Sequence, residues 1–269
     1  MRSDAAAAAA VAGRMVDQAQ RVTVLTGAGI STDSGLRDFR GPQGIWTRDP
    51  AAERASNIDV YVSDPEVRRS NWARRASGEI WAEVEPNEGH EALVALERRG
   101  KLHLLITQNV DELHQRAGSD PGCLVEIHGT TRKVQCLSCE SYRADMQEVL
   151  ERVRAGEEDP PCPLCGGILK SATVSFGQSL DPVDLARAER ASLECDLFLA
   201  VGTTLAVAPI NMTARLAVQS GARLVIVNGE ATEFDHLADV LVAGSISEAL
   251  PVICGAEALP VICGAAAQP

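Results

Sequence analysis

Four of the eight cysteines stand in two Cys-x-x-Cys pairs, Cys136 with Cys139 and Cys162 with Cys165. Four thiolates can complete a tetrahedron around a zinc ion and leave no position open for water, so a zinc ion held in this way is structural. A redox or free-thiol role is the alternative, but two such pairs in an intracellular chain favour a metal site over a disulfide framework. The spacing therefore predicts one structural Zn²⁺ per chain.

The glycine-rich run Gly27-Ala28-Gly29 is the second candidate for chemistry. Glycine lets a backbone approach a pyrophosphate closely, and the N-terminus of a following helix favours anions. The run departs from the dehydrogenase fingerprint, because Thr32 stands at the third glycine position and no clear strand ending in an acid follows about 20 residues on. Tight strand-to-helix turns also use glycine for purely steric reasons. The run therefore leaves nucleotide binding open and disfavours hydride transfer.

Four short runs rich in valine, isoleucine and leucine could position these residues, and each ends in polar or glycine residues. The runs are residues 22–26, 102–107, 197–201 and 224–227. Their continuous apolar character predicts strands that are covered on both faces, with helices at residues 91–99, 184–192 and 210–220 between them. The alternation predicts an α/β fold with a doubly wound, Rossmann-like parallel sheet, in which ligands bind beyond the carboxyl ends of the strands.

Two stretches interrupt this alternation. Residues 45–84 carry little strand signal and predict a helical insertion, while residues 132–170 hold the paired cysteines and predict a zinc-ribbon insertion. We expect the two insertions to form a small domain, and residues 1–44, 85–131 and 171–269 to form a Rossmann-like domain that could bind a nucleotide. The sequence Ala-Leu-Pro-Val-Ile-Cys-Gly-Ala occurs twice near the end, at 249–256 and 258–265, and the second copy has no evident function.

The composition disfavours nucleic acid as a direct partner. Lys and Arg number 25 against 37 Asp and Glu, a net charge of −12, and so acidic a chain repels phosphates unless it carries a basic patch. The N-terminal alanine run predicts a helix that starts after Ser3 or Asp4 rather than a signal peptide. No apolar stretch is long enough to cross a bilayer. We therefore expect a cytoplasmic protein without a membrane partner.

Six ordered motifs resemble the signature of the sirtuin (Sir2-type) family, in its bacterial type. They are the runs at residues 27–41, 107–114, 126–129, 174–177, 202–205 and 227–228, and the resemblance spans residues 22–251. The continuation at residues 40–47 is similar to a branch that includes some nuclear sirtuins. The resemblance implies an NAD-dependent deacylase of acyl-lysine proteins, with NAD as co-substrate. Such an enzyme moves the acyl group to ADP-ribose and releases nicotinamide and O-acyl-ADP-ribose.

The resemblance also implies roles for individual residues. His128 would be the general base, which suits the near-neutral pKa of histidine, and Asn109 would act beside it; a histidine satisfied by a core hydrogen bond is the alternative. The implied cofactor-binding residues are Gly27, Ala28, Gly29, Asp38, Phe39, Arg40, Trp46, Gln108, Asn109, Asp111, Gly202, Thr203, Thr204, Asn228, Gly229, Glu230 and Ile246. Pairing with the substrate peptide as an added strand is implied for Val174, Ser175, Phe176 and Gly177.

The chain departs from the family pattern near the expected substrates. Arg37 stands where proline is usual, Gln178 where an acid commonly follows Phe-Gly, and Glu112 where the residue is often small. The Tyr-x-x-Arg pair of succinyl- and malonyl-lysine specialists is missing, since the comparable helix offers Asn71 and Arg74. We therefore expect a preference for uncharged acyl groups, acetyl first.

Two other functions remain open from the sequence. A mono-ADP-ribosyltransferase would use the same pocket and would release nicotinamide without deacylation. A non-catalytic sensor of NAD or ADP-ribose, docking through its zinc ribbon, is the alternative from another class of protein. The presence of His128, Asn109 and Asp111 together argues against the sensor.

Overall fold

The computed structural model describes residues 3–78, 84–139 and 141–255. The strands are β1 (Val22–Thr26), β2 (Leu102–Thr107), β3 (Leu124–Glu126), β4 (Gly129–Cys136), β5 (Arg143–Asp145), β6 (Leu169–Thr173), β7 (Leu197–Val201), β8 (Arg223–Val227) and β9 (Val240–Val242). The α-helices are α1 (Ser3–Gln18), α2 (Ile45–Arg48), α3 (Pro50–Ala55), α4 (Ile58–Ser63), α5 (Pro65–Ala76), α6 (Glu88–Arg98), α7 (Leu113–Ala117), α8 (Met146–Arg154), α9 (Pro182–Glu194), α10 (Met212–Gln219) and α11 (Ile246–Cys254).

The larger sheet confirms the predicted doubly wound architecture. Its order is β3-β2-β1-β7-β8-β9, and every neighbouring pair of strands is parallel. Three of the four predicted strands have the expected bounds, and β8 begins one residue early, at Arg223. The winding reverses between β1 and β7, so the loops that follow these two strands lie at the point where such sheets bind ligands.

Both faces of this sheet are covered, which explains the continuous apolar runs. Successive residues of a strand point to opposite faces. Val24 accordingly lies in a core formed with α1, α6 and α11, while its neighbour Leu25 lies in a second core formed with α9 and α10. The two cores fix the strand ends relative to one another.

The predicted helix at residues 210–220 is shorter in the structure, as α10 (Met212–Gln219), while α6 and α9 begin earlier than predicted. We placed the start of α6 at Glu91, but the helix begins at Glu88 because the Asn87 side chain accepts a hydrogen bond from Gly89 N (2.9 Å). Similarly, α9 begins at Pro182 because Asp181 caps it through Val183 N (2.8 Å). A side-chain cap of this kind adds a turn ahead of the apolar periodicity.

The cysteine-bearing segment folds as a separate antiparallel sheet of order β5-β4-β6. It packs against α5 and α8 around a small core that includes Trp72, Val134, Leu150 and Leu169. Helices α2 to α5 precede it in the chain, in the region where the sequence predicts a helical insertion. This sheet runs three residues beyond the expected 132–170 insertion at both ends, and the division into domains stays a prediction.

The first copy of the duplicated sequence belongs mostly to α11. Leu250, Ile253 and Cys254 are buried there, in the core shared with α1 and α6. The second copy, at residues 258–265, lies outside the described residues. None of the helices in the described ranges has the length and apolar character needed to cross a membrane.

Candidate active site

A cleft of about 1730 Å³ opens at the carboxyl ends of β1, β2, β7 and β8. The segment after β6 and helices α2 to α5 complete its walls. It is lined by His128, by the four residues expected to meet a peptide, and by every predicted cofactor-binding residue except Asp111. Motifs from six separate parts of the chain therefore meet in one cavity.

The glycines of the cleft serve a steric purpose that the sequence did not show. Gly29 N donates to Gly202 O (2.9 Å) and Gly27 N donates to Val201 O (3.0 Å), so the loops after β1 and β7 touch backbone to backbone. A Cβ atom on Gly27 would lie 2.7 Å from Gly202 O. From the sequence, both close approach of a pyrophosphate and a purely steric requirement were open; the contact between the two loops is a steric requirement.

Replacing Gly202 with alanine should destabilise the protein by between about 2 and 5 kcal/mol. Gly202 has φ +61°, and an added Cβ would lie 2.4 Å from Ile30 N, so the change combines an unfavourable backbone conformation with a backbone clash. Urea denaturation measures the loss. Gly221→Ala is the matched control, because φ there is +94° with open space around the Cβ position. Equal losses of stability in the two variants would contradict a requirement for glycine at the contact between the loops after β1 and β7.

His128 follows β3 and borders the cleft with its ring held in one orientation. Its Nδ1 lies 3.0 Å from Gln108 O, and a carbonyl oxygen can only accept, so Nδ1 carries the proton of the neutral ring. Nε2 is then the basic nitrogen. Burial lowers the pKa of His128, and the bond to Gln108 opposes that effect in part. The imidazole is therefore neutral and able to accept a proton at neutral pH.

Asn109 and Asp111 occupy different positions in the structure, although we predicted both to line the cofactor pocket. Asn109 lines the cleft and its Nδ2 donates to Gly27 O (3.2 Å) and Ser31 Oγ (3.2 Å). Asp111 lies behind that contact, where its carboxylate accepts from Ser31 Oγ (2.8 Å) and Leu113 N (3.0 Å). Asp111 therefore supports Asn109 through Ser31, a residue to which we assigned no role from the sequence.

Gln108 connects two of the strand ends. Its Nε2 donates to Thr203 Oγ1 (3.0 Å), and the same hydroxyl oxygen accepts from Leu205 N (3.2 Å). Together with the bond from His128, these contacts hold the Gln108 side chain and carbonyl in place. The end of β2 thus orients both the histidine and the loop after β7.

The loop at residues 38–46 is packed by aromatic contacts. The Phe39 and Trp46 rings lie 4.6 Å apart, and Trp46 in turn lies 5.2 Å from Phe176. The Arg40 guanidinium carbon stands 4.6 Å from the centre of the Trp46 ring, at a distance typical of a cation–π contact. The expected cofactor loop therefore contacts the expected peptide segment.

The segment Val174–Gly177 uses much of its backbone within the protein. Three of its N–H groups already donate, and their acceptors are His128 O for Val174 (2.9 Å), Gln178 Oε1 for Ser175 (2.9 Å) and Ser56 O for Phe176 (3.0 Å). A peptide added as a strand has therefore to use the remaining groups of the segment. Gln178, one of the departures from the family pattern, makes one of these internal bonds.

Two buried cations on the cleft wall were not anticipated. Arg75 of α5 is 8% exposed, and burial lowers its pKa to about 10. Lys170 of β6 is 4% exposed, and burial, followed by the charge of Arg75, lowers its pKa to about 7. Neither residue stands in a recognisable motif, so no sequence pattern indicated them. Arg74 also lines the cleft, and the expected preference for uncharged acyl groups stays a prediction.

Two buried histidines lie beneath the cleft. His90 and His114 are 0% and 1% exposed, and their ring centroids are 4.9 Å apart. Burial lowers the pKa of His90 to about 4, with a small opposing effect from Asp111. Burial, and then the proximity of His90, lowers the pKa of His114 to about 3. Both rings are therefore neutral at physiological pH.

We expect the stability of the protein to fall as the pH drops below about 6.5, the pKa of a histidine in the unfolded chain. The unfolded chain binds protons there and the two buried rings do not, so each histidine contributes a loss of about 1.4 kcal/mol per pH unit until its folded pKa is reached. Urea denaturation between pH 7.5 and 4.5 measures the slope. His90→Asn, whose amide oxygen can replace Nδ1, should lose about half of it; an unchanged slope would contradict the assignment.

The four paired cysteines meet away from the cleft. Their Sγ atoms all lie within 4.8 Å of one another, with Cys136 and Cys165 at 3.6 Å and Cys139 and Cys162 at 3.9 Å. Tetrahedral zinc thiolate geometry places sulfur atoms about 3.8 Å apart. Ser138 N also donates to Cys136 Sγ (3.3 Å), which stabilises a thiolate. The predicted cysteines therefore form a cluster that could hold a structural zinc ion.

Comparison with known proteins identifies similar sequences and structures. The Sir2 family model matches residues 27–209. The chain is 51% identical over 233 residues to NAD-dependent protein deacetylase 2 of Streptomyces coelicolor, covering 86% of this chain and 95% of that protein. Among solved structures it is similar to one from a study of the mechanism and regulation of Sir2 enzymes, at a TM-score of 0.82 and 36% identity, with coverage of 93% of this chain and 97% of that one.

A second solved structure, a complex of Sir2 with a p53 peptide and NAD⁺, matches at a TM-score of 0.78 and 31% identity. The match covers 91% of this chain and 96% of that chain. The family model, the relative and the structures all cover residues 27–209 or most of them, and the two structures extend the similarity to more than 90% of the chain. The chain belongs to the Sir2 family.

Proposed function

We propose that this protein is an NAD-dependent protein-lysine deacetylase. It transfers the acyl group of an acyl-lysine to ADP-ribose and releases lysine, nicotinamide and O-acyl-ADP-ribose. The observation that carries the proposal is the neutral His128, held by Gln108 O in the same cleft as the glycine loops of β1 and β7. The name of the Streptomyces coelicolor relative supports the same activity.

In this proposal NAD lies across the carboxyl ends of the central strands. The backbone around Gly27 and Gly202 meets the phosphates, Asn228 and Glu230 border the adenosine end, and Asn109 faces the nicotinamide ribose. Asn228 Nδ2 donates to Glu230 O (2.8 Å), which shapes that end of the cleft. Asp111 acts through Ser31 rather than by direct contact.

His128 accepts the proton in the acyl transfer. The carbonyl oxygen of the acyl-lysine first bonds to the anomeric carbon of the ribose as nicotinamide leaves. Because the Nδ1–H of His128 is engaged by Gln108 O, Nε2 then takes a proton from a neighbouring ribose hydroxyl while that hydroxyl attacks the acyl carbon. The lysine amine leaves, and one water adds to complete O-acyl-ADP-ribose. Phe39 and Trp46 cover the reacting region and exclude water, which would compete with the hydroxyl. The chain's own residues thus supply orientation, a base and a dry site.

The acyl-lysine enters beside Val174–Gly177, and the lysine-rich segments of protein substrates suit the net charge of −12. We also propose that the cysteine cluster holds one zinc ion that stabilises the small sheet. The two insertions at 45–84 and 132–170 act as a small domain against the NAD-binding domain, and the protein works in the cytoplasm without nucleic acid as a direct partner.

Mass spectrometry of an acetyl-lysine peptide incubated with NAD tests the activity. We expect loss of the acetyl group with a matching amount of O-acetyl-ADP-ribose, and at least about a hundredfold less of both in the same time from the His128→Asn variant. Nicotinamide release with an unchanged peptide would overturn deacetylation and point to ADP-ribosyl transfer. An absence of both products with the wild-type protein would remove the enzymatic function altogether.

A further inference from the structure

His90 and His114 are buried titratable groups that the proposed reaction does not use. Each has one ring nitrogen without a hydrogen-bond partner in the described part of the chain: Nε2 of His90 and Nδ1 of His114. Buried polar atoms in folded proteins are nearly always paired, so two orphans in rings 4.9 Å apart call for an explanation.

The proton on His90 is fixed by a backbone group. Asn87 N donates to His90 Nδ1 (3.3 Å), the reciprocal half of the cap at the start of α6. Nδ1 therefore carries the lone pair. In a neutral imidazole the hydrogen is then on Nε2, so the orphan atom of His90 is a donor.

The proton on His114 is fixed by two threonines. The Thr26 hydroxyl donates to Thr107 Oγ1 (2.9 Å), so its oxygen can only accept from His114 Nε2, which lies 2.9 Å away. His114 therefore carries its hydrogen on Nε2 and a lone pair on Nδ1. The orphan atom of His114 is an acceptor, the complement of the orphan donor on His90.

We propose that these residues form one directional hydrogen-bond chain that positions Asn109. It runs from Asn87 N–H to His90, then through one water that joins the two unpaired ring nitrogens to His114, and on through Thr26 to Thr107. Thr107 Oγ1 is also the acceptor for Asn109 N (3.1 Å), so the chain ends at the main chain of the residue that faces the nicotinamide ribose. His114 is thus a positioning residue. The functional part of the inference rests on the proposed deacetylase activity.

The hydrogen-bond chain also contacts the glycine loop at its first residue, Asn87. Asn87 Nδ2 donates to Ile30 O (2.8 Å) and to Ser34 Oγ (2.9 Å), both in the 3-10 turn Ala28–Ser34. Asn109 Nδ2 donates to Ser31 Oγ in the same turn (3.2 Å). One series of hydrogen bonds therefore holds both the turn and the asparagine that contacts it.

The state of the rings can be measured without any activity. In ¹⁵N spectra of histidine-labelled wild-type protein, His90 and His114 should both be neutral Nε2–H tautomers and should not titrate between pH 8 and 5.5. Assignment uses His90→Asn and His114→Gln. An Nδ1–H tautomer or protonation of either ring in this range would overturn the chain, whatever the enzyme does.

A double-mutant cycle tests the positioning role. His114→Leu and Thr107→Val should each lower kcat/KM for NAD by about tenfold, the effect of losing one neutral hydrogen bond, and the double variant should be no worse than either single one. His114→Gln keeps an amide donor near the Nε2 position and should recover most of the activity. Independent, additive losses, or no rescue by glutamine, would overturn the role of His114.

His103→Asn is the matched control. His103 lies on β2, where its Nε2 is 3.2 Å from Glu194 Oε2, and it takes no part in the hydrogen-bond chain. The His103→Asn variant should therefore keep kcat/KM unchanged. A wild-type protein that does not deacetylate would refute the proposed function, while the tautomers would still report on the hydrogen-bond chain. The two failures are therefore distinguishable.

Discussion

Replacing His128 with asparagine should lower kcat for deacetylation by a factor of about 10²–10⁴, the contribution expected of a general base. Asparagine can still donate to Gln108 O, the partner that His128 Nδ1 has at 3.0 Å, but it offers no basic nitrogen toward the cleft. The KM for NAD should change little, because the strand ends that we propose to hold the nucleotide are untouched. Steady-state kinetics with an acetyl-lysine peptide separate the two parameters.

The pH profile of the wild-type protein gives an independent check on the same residue. Burial lowers the pKa of His128, so the base is already neutral at pH 7, and kcat should be flat there and fall only below about 6.5. In His128→Asn this acid limb should disappear. His236→Asn serves as the control, because His236 lies in the short 3-10 turn Asp235–Leu237 and does not line the cleft. A variant that keeps more than about a tenth of the wild-type kcat would show that His128 is not the base.

Loss of the cysteine cluster should cost stability on the order of 10 kcal/mol, which is comparable to the whole stability of a typical domain. Cys162→Ser removes a buried ligand, and β4, β6 and α8 pack around the same small core. We expect the variant to lose its zinc, to lose ellipticity from this region and to be inactive, because β6 leads directly into Val174–Gly177. Metal analysis, circular dichroism and the peptide assay report on each step.

Cys195→Ala is the matched control for that experiment. Cys195 is also buried, but its Sγ donates to Ser192 O (3.3 Å) in the larger sheet's core and lies outside the cluster. It should keep one zinc ion per chain. Retention of a full equivalent of zinc by Cys162→Ser, or an equal loss of structure in both variants, would contradict a structural metal at the cluster.

The sequence was informative where a single run of residues determines the outcome. Continuous apolar runs predicted β1, β2 and β7 with the observed bounds, since burial on both faces leaves a local signal. The strands β3 and β9 have three residues each, too few to show such a signal. Helix starts were missed because one capping side chain, such as Asn87, decides them.

Contacts between residues that are far apart in the sequence were harder to predict. His114 ends the motif at residues 107–114 and His90 lies outside every motif, and the two rings meet only because α6 and α7 pack together. Asp111 stands in the expected motif, but the intervening Ser31 keeps it behind the cleft. Lys170 carries no pattern of its own, and its neutral-range pKa arises from burial that only the folded chain produces. Residue type and spacing predicted many of the residues of the site, and tertiary packing determines which of them are in contact.

The backbone contact between the loops after β1 and β7 has a consequence for engineering. Gly29 and Gly202 approach so closely that neither loop can change shape without the other. A chimaera that exchanges the first loop with a homologue, but keeps the native second loop, would join surfaces that no longer match. Gly29 and Gly202 are 173 residues apart in the chain, yet recombination that takes them from different parents would disrupt the contact between the two loops. Breakpoints that keep them from one parent should give more viable hybrids.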